Sequence, residues 1–79
     1  FVVGRDSKHA QWVINETGIS RNHFEIVPQS NGCNLRDLGS SNGTLLNDKP
    51  VAPFKWYDLK DQDQIKIGQK LFLYNDKKV

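Results

Sequence analysis

Two arginines, three serines, two asparagines and a histidine fall in three short segments that carry almost no apolar side chain. Gly4-Arg5 follows the run Phe1-Val2-Val3, Ser20-Arg21-Asn22-His23 precedes Phe24, and Gly39-Ser40-Ser41-Asn42-Gly43 separates Asp37-Leu38 from Thr44-Leu45-Leu46. Together they offer two guanidinium groups, several hydroxyls and two carboxamides, with no carboxylate, which is chemistry suited to an anion such as a phosphate. An arginine presents a planar fork that pairs two phosphate oxygens at once, and lysine does not. Serine adds an O–H, turn backbone N–H groups can form an anion-binding nest, and glycine lets the backbone come close to a ligand. Asn42 both donates and accepts, as a peptide main chain does, so it is better suited to hold the backbone beside a phosphate than the phosphate itself.

Other chemistries fit less well. Ser20 and His23 stand three apart, but a hydrolytic site needs nucleophile, base and orienting acid in mutual hydrogen-bond geometry, and no strand–turn–helix elbow presents Ser20. His9 and His23 have no partners at metal-ligand spacing, so neither a metal nor another cofactor is expected. The single cysteine, Cys33, excludes an internal disulfide and has no activating base beside it. Asn15-Glu16-Thr17 and Asn42-Gly43-Thr44 both satisfy the glycosylation sequon. A glycan on Asn42 would block the anion site, so the binding reading favours a cytoplasmic location, or a nuclear one in a eukaryote.

The segments that must position these groups read as short strands. Phe1–Val3, Trp12–Ile14, His23–Val27, Cys33–Leu38, Thr44–Leu46, Lys49–Val51, Gln64–Ile67 and Leu71–Tyr74 are β-prone or alternating runs, and Tyr57 and Leu59 precede the acidic turn Asp61-Gln62-Asp63. Pro28 is expected to end the third. Ser30-Asn31-Gly32, Asn47-Asp48 and Gly68-Gln69 are hairpin turns in type, and Pro50 and Pro53 place their segment at a sheet edge. No segment repeats apolar residues at helical spacing. The expectation is a single all-β domain over residues 1–79, an antiparallel two-sheet sandwich with loops gathered at its ends. Trp12, Phe24, Trp56 and Phe72 are read as core or strand-covering residues, and Asn75 to Lys78 as a solvated end.

Bulk properties agree. Seventy-nine residues with 37% hydrophobic content support one modest core, and 25% charged residues is an ordinary share. A net charge of +2 without a basic stripe argues against a nucleic-acid partner. No apolar run reaches the length of a membrane span.

Gly4-Arg5, Ser20-Arg21-Asn22-His23 and Asp37-Leu38-Gly39-Ser40-Ser41-Asn42-Gly43-Thr44 with Asn47, in this order and on a strand-rich background, resemble the forkhead-associated (FHA) domain. Asp63-Gln64-Ile65-Lys66-Ile67-Gly68 extends the likeness, with Gln62 standing where the family pattern has glycine, and the match runs from Gly4 to about Tyr74. The resemblance implies an FHA/SMAD-like sandwich that binds a phosphothreonine-containing protein or peptide through its loops and performs no catalysis. Arg5 and Ser20 would hold the phosphate. Asn42 would hold the peptide backbone, Ser41 would assist, and Arg21 would flank the pocket. Gly4, His23, Gly43 and Asn47 would shape the loops. It also implies that N-terminal strands of the sandwich are missing from this fragment of a longer protein. The alternative is a phosphate-independent scaffold or autoinhibitory domain that packs within its parent chain or against a second copy.

Overall fold

The computed structural model describes residues 1–76, so Lys77 and Lys78 of the expected solvated end lie outside the described residues. Nine strands form among the described residues: β1 (Val2–Gly4), β2 (Trp12–Val13), β3 (Phe24–Gln29), β4 (Gly32–Asp37), β5 (Leu45–Leu46), β6 (Lys49–Pro50), β7 (Tyr57–Leu59), β8 (Gln64–Ile67) and β9 (Lys70–Leu73). They pair in two sheets ordered β2-β1-β3-β4-β7 and β6-β5-β8-β9. Val3, Ile14, Ile19, Phe24, Leu35, Leu59, Ile65 and Ile67 fill the space between them. Alternation along β8 shows why: Ile65 and Ile67 face inward while Gln64 and Lys66 face solvent.

Turn chemistry sets the register. Asn47 and Asp48 have φ values of 52° and 67°, the type I′ pattern, and hold Leu46 opposite Lys49. At the β8–β9 turn only Gly68 has positive φ, at 54°, and Ile67 pairs with Lys70. β6, with Pro50, lies at the sheet edge as expected. Gln62 also occupies the left-handed region, at φ 72°, a conformation that glycine adopts without steric cost.

Two expectations need correction. β3 does not end before Pro28, because Pro28 pairs with Cys33 and the strand continues to Gln29. The N–H of Ile26 donates to Phe1 O on the β1 side, so Pro28, two residues on, turns its proton-less nitrogen to that side and costs no bond with β4. Nor is the sheet wholly antiparallel: β2 runs parallel to β1, with Val3 opposite Trp12. The connecting loop returns to the start of β1, where Gln11 N donates to Val2 O at 2.9 Å, and the chain then runs alongside until Ile14 N reaches Gly4 O.

Of the four aromatics read as core or cover, only Phe24 is fully buried. Trp12, half exposed, meets Phe72 edge-on at 4.8 Å between ring centroids, and Trp56 lies exposed beneath the Arg36 guanidinium.

Candidate functional site

β4 belongs to one sheet and β5 to the other, so the Gly39–Thr44 segment is the first of the chain's crossings between them after the β3–β4 hairpin. Asp37, at the end of β4, organises that crossing. Its side chain is buried at 2% exposure; Oδ2 accepts the Gly39 and Ser40 N–H groups at 2.9 and 3.0 Å, and Oδ1 accepts the Ser40 and Thr44 hydroxyls at 2.6 and 2.7 Å. Burial alone would raise this carboxyl, but the hydroxyls of Ser40 and Thr44 and the N–H groups outweigh it and hold the carboxyl below its ordinary 3.8. Ser40 Oγ also accepts Gly43 N–H at 3.0 Å, which closes the loop on itself.

The Ser20 segment docks on both neighbours. Arg5 N donates to Ser20 O at 3.0 Å, and Asp6 N to Arg21 O at 3.1 Å. Gly4 makes this approach possible, since a Cβ there would stand 2.0 Å from Arg21 O. On the other side Ser41 N donates to Ser20 Oγ at 2.9 Å, and Asn42 Nδ2 to Gly18 O at 3.1 Å. His23 is fully buried between the two loops, its Nδ1 accepting Ser20 N–H at 3.1 Å. That fixes the proton on Nε2, which donates to Gly43 O at 2.8 Å.

The structure therefore brings Arg5, Ser20, Arg21, Ser41 and Asn42 to one end of the sandwich. Arg5, Arg21, Ser41 and Asn42 are exposed and Ser20 is half-buried. Among the described residues neither the Arg5 nor the Arg21 guanidinium enters a hydrogen bond or ion pair, and both face water uncommitted. Ser20 Oγ accepts one bond and keeps its own proton to give, while Asn42 Oδ1 remains open as an acceptor. Asn47 stands apart, at the end of β8 away from Gly68: it accepts Gln64 N–H and donates to Asp63, both at 2.9 Å.

One expectation about this chemistry does not hold. The loop backbone is not a phosphate nest, because the N–H groups of Gly39, Ser40, Ser41 and Gly43 are all taken by Asp37, Ser20 or Ser40 side chains. Nor is the cluster free of carboxylates. Asp37 lies beneath it, and Asp6 beside it is held below its ordinary 3.8, first by the His9 ring and then by Lys8 N–H. In the sequence Asp37 and Thr44 stand out only as strand residues and as the two ends of a motif, with no role in the site. The signal was present as an acid followed at three and seven residues by hydroxyls, across a glycine-rich turn.

These features define a class: a two-sheet sandwich whose sheet-crossing loop and two neighbouring loops build a polar, cation-flanked surface at one end. A family model described as the FHA domain matches residues 1–68, and the chain belongs to the FHA domain family. It is 42% identical over 67 residues to an FHA domain-containing protein of Arabidopsis thaliana, a match that spans 85% of this chain and 17% of that protein. A solved structure from work on phosphothreonine-dependent FHA domain interactions superposes with a TM-score of 0.88 at 33% identity, over 99% of this chain and 77% of that one. The MEK1 FHA domain, solved in complex with a phosphothreonine peptide of HOP1, gives a TM-score of 0.76 at 33% identity, over 95% and 79% of the two chains. The chain thus corresponds to under a fifth of the length of that plant relative. FHA domains are non-catalytic protein-interaction modules.

Proposed function

We propose that this domain binds a phosphothreonine-containing peptide, with Arg5 and Ser20 on the phosphate, Asn42 on the adjoining peptide backbone, and Arg21 and Ser41 at the flanks. The observation that carries the reading is the junction at Ser20. Its hydroxyl is fixed by Ser41 N–H, its carbonyl by Arg5 N–H, and its ring partner His23 locks the segment, while the two arginine side chains beside it find no partner among the described residues. A phosphate carries about −1.5 to −2 charge at pH 7, which a preformed guanidinium and hydroxyl can meet without reorganisation. Asn42 reaches back to Gly18 with one N–H and leaves its carbonyl oxygen for a peptide N–H. The complex of the MEK1 FHA domain with a phosphothreonine peptide supports the ligand class. Screening a phosphothreonine peptide library against its unphosphorylated counterpart tests this; equal binding of the two would end the proposal.

One observation favours a phosphate-independent contact instead. Phe1, Trp12, Val13, Leu71 and Leu73 are each at least 41% exposed and line a cavity of about 760 Å³ between β2 and β9. An exposed apolar groove of this kind is suited to burial against other protein. Concentration-dependent self-association without phosphate, measured by sedimentation, would support that reading.

A further inference from the structure

A second crossing between the sheets, from Val51 to Trp56, runs beside the first. It is bonded to both ends of the site loop: Val51 N donates to Thr44 O at 3.0 Å and Phe54 N to Asp37 O at 2.9 Å. Phe54 has φ 63°, a region that a bulky side chain enters only against steric cost. Such a conformation persists where its surroundings over-determine it, and here the surroundings are the Asp37 carbonyl and Gly39. Phe54 is 61% exposed as a residue, so core burial does not explain its placement. It rests instead on Gly39, where an added Cβ would lie 2.8 Å from Cζ. Gly39 itself turns at φ 73°, and from it the chain passes through Ser40, tied to Asp37, to Ser41, whose N–H fixes the Ser20 hydroxyl.

We infer that Phe54 is a positioning residue for the phosphopeptide site: its ring is a stop against Gly39 that holds the crossing loop in the shape that presents Ser20, Ser41 and Asn42. This rests on the function proposed above. It assigns to the 51–56 segment control of how far the site is organised before ligand arrives, and preorganisation is worth affinity without new contacts.

Phe54→Ala, Phe54→Tyr and Phe54→Gly test it through two readouts: amide hydrogen exchange of Gly39, Ser40, Ser41 and Gly43, and phosphothreonine-peptide affinity. Phe54→Ala is expected to speed exchange at those amides and weaken binding about fivefold. Phe54→Tyr restores both. Phe54→Gly, relieved of the backbone strain, melts above Phe54→Ala but exchanges and binds like it, which a role in stability alone would not produce. Unchanged loop exchange in Phe54→Ala overturns the inference, even with weakened binding, because the ring would then be touching the ligand. Should the wild-type domain bind no phosphopeptide, the functional proposal falls, and the exchange rates still decide the role of Phe54.

Discussion

Asp37 is the residue whose replacement separates a loop built on a carboxylate from one merely resting near it. In Asp37→Ala, the N–H groups of Gly39 and Ser40 and the hydroxyls of Ser40 and Thr44 lose their acceptor together. Hydrogen bonds to a charged group contribute about 1.5–3 kcal/mol each, but four on one carboxylate are not additive and the exposed part of the loop regains water, so a net loss of about 3 kcal/mol is expected. For a domain of this size that lowers the melting temperature by about 12–24 °C. Asp37→Asn should cost only about 1 kcal/mol, because its oxygen can face the two backbone N–H groups while both hydroxyls rotate to accept from its amide. The carboxyl is depressed in the folded state, so its contribution is complete above the unfolded value of 3.8 and is lost as pH falls through the lower folded value. Acid destabilisation below that point is expected in the wild type and should be reduced in Asp37→Asn. Thermal and urea melts from pH 2 to 7 check all three statements. Equal melting of the alanine and asparagine variants would refute the reasoning, since it would mean that the acceptor geometry at Asp37 does not hold the loop.

The other predictions concern single positions. Arg5→Ala should leave the melting curve within a degree or two of wild type, since the side chain is exposed and only its backbone bonds to Ser20, yet weaken phosphopeptide binding by about 2–3 kcal/mol, read by calorimetry. Arg5→Lys should recover only part of that loss, because a lysine lacks the fork. Gly4→Ala pushes a methyl into Arg21 O and should destabilise by about 1–3 kcal/mol while shifting the amide resonances of Arg5 and Arg21, both visible by NMR. Gln62→Gly should stabilise by up to about 1 kcal/mol in a urea melt, since Gln62 sits at φ 72° where a side chain is strained.

Much of this architecture is legible in the sequence because short-range chemistry dictates it. Asn47-Asp48 specifies its own turn, Ile65 and Ile67 alternate with polar residues, and Pro50 marks its edge. The parallel pairing of β1 with β2 is not legible, since it depends on where the Gln11 backbone meets Val2 and not on any alternation. Pro28 misleads because its effect depends on which side of β3 its nitrogen faces, which is a property of the sheet. Arg5, Ser20, Ser41 and Asn42 stand out by type, and the structure gathers them at one end of the sandwich. What supports them is legible only in part: His23 is expected to shape the loops, but the link it makes and the role of Asp37 depend on the folded geometry. His23 carries that link through both ring nitrogens, and Asp37, which looked like one alternating strand residue, takes the Gly39 and Ser40 N–H groups while Ser20 and Ser40 take those of Ser41 and Gly43.

The central claim is that the three-loop end recognises a phosphorylated threonine. Titrating the ¹⁵N-labelled domain with one peptide in matched phosphothreonine and unmodified forms tests it at the site itself. Only the phosphorylated form is expected to shift the resonances of Arg5, Ser20, Ser41 and Asn42, with binding that weakens as salt rises. Shifts at those residues with both forms, or shifts confined to Trp12, Leu71 and Leu73, would contradict it.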